Sequence, residues 1–367
     1  MVSQLISDRL KNIRPSGVRR IFDLAAQMRD PINLSIGEPD FDIPEPIKEE
    51  GIEWIKRGFN KYTPTQGILE LREKIASYLR SKGIYFEDVM VTAGVTGGLL
   101  LSSLALINPG DEVLIPDPYF VMYEYQVLLM GGVPVFVDTY PDFRLKEEEF
   151  IKRISKKTKF IIINSPNNPT GSVYPEEDIK MVVRVARERD LLILSDDIYD
   201  NFIFDEPFPP RIGQLYEKTL TFGGFSKGWA MTGWRLGYVA GPKEIIQQMI
   251  TLQQYTFSSI NSVAQKAALK ALDIDVGEYI QQYKKKRDLI YEGLKEKFRV
   301  QKPKGAFYIF PEAPGGDGEA FVEKAIKNNL FIIPGSVFSK RNTHIRISFA
   351  ASEENLLRGI EVLNRIS

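Results

Sequence analysis

Lys159-Phe160-Ile161-Ile162-Ile163-Asn164-Ser165-Pro166-Asn167-Asn168-Pro169-Thr170-Gly171 runs from an unbroken apolar stretch straight into asparagines and prolines. Consecutive large apolar side chains leave no polar face, so a strand here is covered on both sides, as strands of a mainly parallel sheet are by helices. The two prolines that follow fix an extended loop holding Asn168 at the strand's C-terminal end, the edge where such sheets bind ligands. An ordinary polar turn is the competing reading.

Outward from this stretch the pattern repeats. Candidate strands are Val89–Thr92, Glu112–Pro116, Val133–Val137, Lys159–Asn164, Leu191–Ser195, Leu220–Phe222 and Leu236–Ala240. Helical patterns lie between them, at Gly97–Ile107, Pro118–Met130, Pro175–Glu188 and Lys243–Tyr255. Short apolar strands alternating with helices predict an α/β fold, a seven-stranded mainly parallel sheet sandwiched by helices.

After residue 275 the character changes. Val276–Phe298 is long and charged, with Lys284-Lys285-Lys286-Arg287, and reads as a largely exposed amphipathic helix. A nucleic-acid patch is the alternative for the basic run, but interleaved acids at helical spacing favour a solvated face. Phe307–Phe310, a helix near Gly318–Asn328, Phe331–Ile333, Ile345–Phe349 and a last helix from Ser352 complete a smaller α+β domain. The expected division is 1–42, an N-terminal segment joining the small domain; 43–275, the large domain; and 276–367, the small C-terminal domain.

Composition removes several chemistries. Lys and Arg number 48, as do Asp and Glu, so no net field draws the chain to nucleic acid or an anionic membrane. Cysteine is absent and His344 is the single histidine, leaving no material for thiolate chemistry, a Ser-His-Asp triad or a multi-histidine metal site. Acid–base work must then fall to Lys, Tyr, Asp, Glu or a cofactor. The first residues lack the basic and apolar parts of a signal peptide, and no apolar run approaches the roughly 20 residues of a membrane span. A cytoplasmic protein is expected.

Lys227 lies in Gly223-Gly224-Phe225-Ser226-Lys227-Gly228-Trp229-Ala230-Met231-Thr232-Gly233-Trp234-Arg235. Small and aromatic neighbours desolvate its amine and Arg235 adds a fixed cation; both favour the neutral, nucleophilic form. A solvated surface lysine is the alternative. Arg235 offers a forked donor to a phosphate, so the pair suits a phosphorylated aldehyde. Three further segments fit such a ligand. Val91-Thr92-Ala93-Gly94-Val95-Thr96-Gly97-Gly98 carries a strand into a helix whose amides make an anion pocket, or is a plain turn. In Ser195-Asp196-Asp197-Ile198-Tyr199, Asp196 can hold a pyridine nitrogen protonated and Tyr199 can donate to a phenolic oxygen; a helix N-cap is the other role for Asp196. In Thr343-His344-Ile345-Arg346-Ile347-Ser348, an inward arginine must meet an anion, either a substrate carboxylate or an internal Asp or Glu.

With Ser35-Ile36-Gly37-Glu38-Pro39-Asp40-Phe41 and Tyr62-Thr63-Pro64-Thr65-Gln66-Gly67 added, the chain from about Ser16 onward resembles the fold type I pyridoxal-phosphate aminotransferases of class I/II, in the prokaryotic aspartate and aromatic branch. The resemblance implies pyridoxal 5′-phosphate as cofactor, an amino acid and a 2-oxo acid as substrates, a ping-pong mechanism, and a homodimer with shared active sites. It makes Lys227 the Schiff-base lysine and proton carrier, Asp196 the pyridine-nitrogen partner and Tyr199 the phenolic-oxygen donor. It places Asn168 on that oxygen and the substrate carboxylate, Phe120 over the ring, Arg235, Val95 and Thr96 around the phosphate, and Ser226 among the cofactor-binding residues. Tyr62 would reach the phosphate of the neighbouring subunit, and Gly37 and Arg346 would contact the substrate carboxylate. No metal is implied.

Two positions depart from the family pattern: Asp197 stands where Glu is usual, and Gly224 replaces a hydroxyl some members use on the phosphate. Aspartate is the favoured donor and 2-oxoglutarate the favoured acceptor, with aromatic or broad specificity, or a pyridoxal-phosphate C–S lyase, as alternatives. Thr256–Asn261 supplies no second cation for a distal carboxylate; Arg19 or Arg20 is left as its source.

Overall fold

A computed structural model of the chain describes residues 5–205 and 208–367; residues 1–4 of the N-terminal segment lie outside the described residues. Strand β1 (Ile32–Asn33) precedes a run of seven: β2 (Asp88–Thr92), β3 (Glu112–Asp117), β4 (Val133–Asp138), β5 (Thr158–Asn164), β6 (Leu192–Asp196), β7 (Thr219–Gly224) and β8 (Gly237–Gly241). These seven make one sheet in the order β2-β8-β7-β6-β5-β3-β4. Only β8 runs against its neighbours; the remaining pairs are parallel. Each of the seven expected strands is present, its ends within two residues of the sequence reading.

The alternation along β5 shows why. Phe160 and Ile162 enter one apolar layer with Leu99, Ile246 and Met249, from the helices Gly94–Leu106 and Lys243–Thr256. Ile161 and Ile163 enter the opposite layer with Ile179, Val182 and Val183 of the helix Glu176–Glu188. Successive side chains of a strand point to opposite faces, so both faces must be apolar when both are covered. Each such side chain stabilises the fold by about 1.5–3 kcal/mol on burial.

Two helices differ from expectation at their starts. The helix after β3 begins at Met122, not Pro118. Tyr119 instead donates its backbone N–H to Phe338 O at 2.8 Å, which holds the chain extended and turns Phe120 toward the ligand edge. The helix after β2 begins at Gly94, three residues early, so the glycine segment forms its first turn.

Beyond the sheet, the helix Gly277–Leu294 leads to β9 (Tyr308–Ile309), β10 (Leu330–Phe331), β11 (Ile333–Pro334) and β12 (Ile345–Ser348), and Glu353–Ile366 closes the chain. The single strand expected over Phe331–Ile333 is split into β10 and β11 at Ile332. Strands β11, β12 and β9 form an antiparallel sheet, and β1 pairs in parallel with β10. Leu34 N–H donates to Phe331 O at 2.9 Å and Ser348 N–H to Leu34 O at 2.8 Å, tying the N-terminal segment to these strands.

The solvated reading of Lys284–Arg287 needs correction at its last residue. Arg287 is 1% exposed. It donates to Asp205 Oδ2 and to Pro303 O, each at 2.7 Å, and to Asp288 Oδ1 at 2.8 Å. Tyr283, Arg287, Ile290 and Leu294 recur at helical spacing on the buried face. The guanidinium therefore acts as a packed bracket between the helix and two loops.

Candidate active site

The C-terminal ends of β5, β6 and β7 place Asn164, Asp196 and Gly224 along one edge, with Lys227 three residues beyond. A cavity of about 480 Å³ opens there, and Gly37, Val95, Thr96, Phe120, Asn168, Asp196, Tyr199, Ser226, Lys227, Arg235 and Arg346 all line it. Every site residue expected from the sequence is thus on one cavity except Tyr62, which is 90% exposed and outside it.

Lys227 is half-buried at the cavity wall, and its Nζ donates to the Gly37 carbonyl at 2.5 Å. Burial lowers its pKa to about 8; Arg346 and Arg235 push the same way, against Glu38 and Asp196. At neutral pH about one amine in ten is then neutral, against roughly one in several thousand for an ordinary lysine. Gly37 is required beneath it, because a Cβ there would collide with the Tyr308 hydroxyl.

No helix follows Asp196, so the N-cap role does not arise; the chain turns, and Oδ1 accepts from Ile198 N–H at 3.2 Å. Its Oδ2 accepts from Tyr123 OH at 2.7 Å. Burial raises the carboxyl pKa to about 6, opposed by the Tyr123 and Ile198 hydrogen bonds and the Lys227 charge. A carboxylate so desolvated gains from a cationic N–H partner in the cavity. Tyr199 and Tyr308 hydroxyls meet at 2.9 Å, and burial with this neighbour pushes the Tyr199 phenol well above its ordinary range, leaving it a proton donor.

Arg346 has no carboxylate partner among the described residues. Nη1 donates to Asn168 Oδ1 at 3.0 Å, Nη2 donates to Ser35 O at 2.7 Å, and Nε is buried with no partner. Its Cζ lies 4.6 Å from the Tyr308 ring centroid and 4.4 Å from that of Phe338. The internal salt bridge weighed from the sequence is therefore absent. Burial holds its pKa below the ordinary arginine value. A buried cation between two rings, with an unsatisfied N–H, is a receptor for a planar anion.

The anion end lies opposite. Arg235 adopts a left-handed backbone (φ 54°) and its Nη1 donates to Thr232 O at 2.8 Å. Its guanidinium abuts Gly94, where a Cβ would fall 2.8 Å from Nη2. Gly237 lets β8 approach the same turn; a Cβ there would meet Val95 N at 2.8 Å. The Val95 and Thr96 amides head a thirteen-residue helix, whose dipole adds to the Arg235 charge. This cradle, the buried carboxylate and the desolvated amine fit a phosphorylated pyridine aldehyde in one cavity.

Sequence reasoning missed Tyr123, Tyr308, Ser35 and Glu38 as parts of the site. Tyr123 carries no local signal, because its partner Asp196 lies 73 residues away. Tyr308 and Ser35 carry no such signal, since only the tertiary fold brings them to Tyr199 and Arg346. Glu38 accepts from Thr232 Oγ1 at 2.6 Å, linking the N-terminal segment to the lysine loop. No group of His, Cys, Asp and Glu suited to a metal occurs among the described residues, and no described helix is long and apolar enough to cross a membrane.

A nucleophilic lysine, an anion cradle and an unpaired carboxylate receptor in one α/β cavity define an enzyme of amino-group chemistry. The family model "Aminotransferase class I and II" matches residues 29–363, and the chain belongs to that family. It is an aminotransferase. The aspartate aminotransferase of Pyrococcus abyssi is 41% identical over 380 residues, covering 98% of each chain. The aromatic-amino-acid aminotransferase 2 of Thermococcus litoralis is 40% identical, again over 98% of each. The structure of Thermus thermophilus aspartate aminotransferase with maleate superposes with a TM-score of 0.95 at 35% identity over 99% of both chains.

Proposed function

We propose that the protein transfers the amino group of an L-amino acid, aspartate foremost, to 2-oxoglutarate with pyridoxal 5′-phosphate as cofactor. The carrying observation is Arg346, a buried guanidinium without a carboxylate partner in the cavity that holds the desolvated Lys227. Arg235 and the Val95 and Thr96 amides would hold the phosphate, Asp196 the ring nitrogen, Tyr199 and Asn168 the phenolic oxygen, and Phe120 the ring face, with Ser226 beside them in the cavity wall. When bound, the cofactor supplies an electron sink for negative charge at the substrate Cα. Lys227 Nζ would be the attachment point for the aldehyde and, as a free amine, would take the proton from the substrate Cα. Arg346 and Asn168 fix the α-carboxylate, so that the Cα–H faces the lysine.

We read residues 43–275 as the cofactor-binding unit, with residues 1–42 joined to 276–367. A homodimer with shared sites is proposed on the exposure of Tyr62 together with Tyr255 and Leu69. Aspartate leads because the Pyrococcus and Thermus relatives carry that name. Aromatic substrates are the second reading, favoured by Phe22, Leu99 and Phe120 in the cavity wall and by the Thermococcus relative.

The test mixes purified holoprotein with single amino acids and follows the cofactor's absorbance. Aspartate is expected to change the spectrum fully and 2-oxoglutarate to restore it. Restoration without an oxo acid, with release of pyruvate or ammonia, would instead mark a C–S lyase. A second prediction concerns pH. The Tyr123 hydrogen bond lowers the Asp196 pKa, so Tyr123→Phe lets the carboxyl protonate at higher pH. Cofactor affinity should then be lost earlier as pH falls, its acid limb displaced upward by about 1 pH unit. An unmoved limb, measured by titrating apoprotein with cofactor, would remove Tyr123 from the site.

A further inference from the structure

The turn after β6 serves two cavities. Asp196 and Tyr199 line the large one, whereas Ser195, Asp197 and Asp200 line a second, smaller one with Arg211 and the apolar Ile163 and Ile179. Two backbone bonds shape the turn: Asp197 N–H donates to Phe222 O and Asp200 N–H to Asp197 O, each at 2.9 Å. Asp197 is 8% exposed. Its Oδ1 accepts from Ser195 Oγ at 2.6 Å, and its Oδ2 is buried with no partner among the described residues. Arg211 Nη2 donates to Asp200 Oδ2 at 3.3 Å, and its Nε is likewise buried without a partner. Lys82 Nζ also reaches that Asp200 oxygen, at 2.5 Å, so two cations share Asp200. Burial pushes the Asp197 carboxyl up to about 7, against the Ser195 hydrogen bond and the Arg211 charge. A bare carboxylate oxygen and a bare guanidinium N–H in one interior space are costly, and native interiors seldom leave such groups unmatched.

We infer that one water molecule binds in this second cavity, accepting from Arg211 Nε–H and donating to Asp197 Oδ2, and that the bridge positions Asp196 and Tyr199 for the cofactor. The cavity measures about 20 Å³, and a single water needs roughly 10–15 Å³. Water suits both ends because it accepts and donates at once. An anion would be repelled by Asp197 and Asp200, and a metal ion by Arg211. The two bare atoms supply two of the two to four partners that a buried water takes. A bridge of this kind holds nearly as well as a direct hydrogen bond. Asp197 and Asp196 share one planar peptide unit, so anchoring the first fixes the direction of the second. Asp197 and Arg211 are positioning residues, since neither lines the large cavity. The positioning half of the inference rests on the pyridoxal-phosphate reading; the water does not.

The experiment starts from a crystal structure of the full-length holoenzyme, where a water should lie within about 3.2 Å of both Asp197 Oδ2 and Arg211 Nε. A direct Asp197–Arg211 ion pair, or no water there in maps that show other buried waters, would overturn the inference. Asp197→Ala removes the anchor. Cofactor affinity, titrated on the apoprotein, should fall about 10-fold, the effect of losing one charge-assisted hydrogen bond. At saturating cofactor kcat should fall too, while KM for the amino acid holds, because Arg346 still binds the α-carboxylate. Asp197→Glu is one methylene longer; its carboxylate should reach Arg211 directly, expel the water and restore both quantities. Wild-type affinity and kcat in D197A, whatever its melting temperature, would refute the positioning role, as would a D197E that behaves like D197A. If D197A does not fold, D197E decides: an expelled water with Asp196 and Tyr199 unmoved supports the bridge, and a retained water overturns it. If the wild-type protein binds no pyridoxal phosphate, the aminotransferase reading fails by itself, and the map of the second cavity still judges the water.

Discussion

Lys227→Ala is expected to reduce turnover at least about 10⁴-fold, because it removes a nucleophile and a proton carrier in one substitution. The surroundings give the side chain no other purpose. Burial lowers its pKa to about 8, and its only hydrogen bond among the described residues is the 2.5 Å contact to the Gly37 carbonyl. An ammonium in that position costs desolvation with one acceptor to offset it, so Lys227→Ala should not lower thermal stability of the apoprotein. Two measurements separate this from a structural role. The absorbance of the bound cofactor should lose its lysine-linked band, while the melting temperature without cofactor holds or rises. In wild-type apoprotein, condensation with the aldehyde should quicken with rising pH and level off above about pH 8, since only the neutral amine attacks. A midpoint near 10.5, the value of an exposed lysine, would show that the pocket does not tune this amine.

Arg346→Gln carries the second large effect. Its guanidinium is 2% exposed, donates to Asn168 and Ser35, lies between the Tyr308 and Phe338 rings, and faces no carboxylate. Two charge-assisted hydrogen bonds to a substrate carboxylate contribute about 3–5 kcal/mol, so kcat/KM should fall on the order of 10²- to 10³-fold for every amino acid. Gln keeps a donor toward Asn168 and removes a buried, uncompensated charge, so unfolding of the apoprotein should not become easier. A variant with wild-type kcat/KM would place the α-carboxylate elsewhere. A variant that melts markedly lower would make Arg346 a bracket of the fold.

Much of this was legible in the chain, for physical reasons. Continuous apolar strands such as Phe160–Ile163 announce a sheet covered on both faces, and the polar breaks after Ile163 and Leu194 mark the edge where ligands bind. Lys227, Asp196 and Arg346 declared themselves because amine, carboxylate and guanidinium in apolar company need partners. Arg287 was misread although its signal was present: Tyr283, Arg287, Ile290 and Leu294 follow a helical stripe, and charge alone made the run look solvated. The start of the helix at Met122 was not legible, since it depends on the hydrogen bond from Tyr119 to Phe338, far along the chain. Tyr123 and Tyr308 were hidden for the same reason. Their partners Asp196 and Tyr199 lie 73 and 109 residues away, and side-chain pairing over such distances leaves no local pattern.

Borohydride reduction of the protein loaded with pyridoxal 5′-phosphate, followed by peptide mass mapping, reports directly on which nitrogen binds the aldehyde. The adduct should sit on Lys227 alone, in the peptide that includes Phe225 and Ser226. An adduct on another lysine, or none after full reduction, would contradict the site described above.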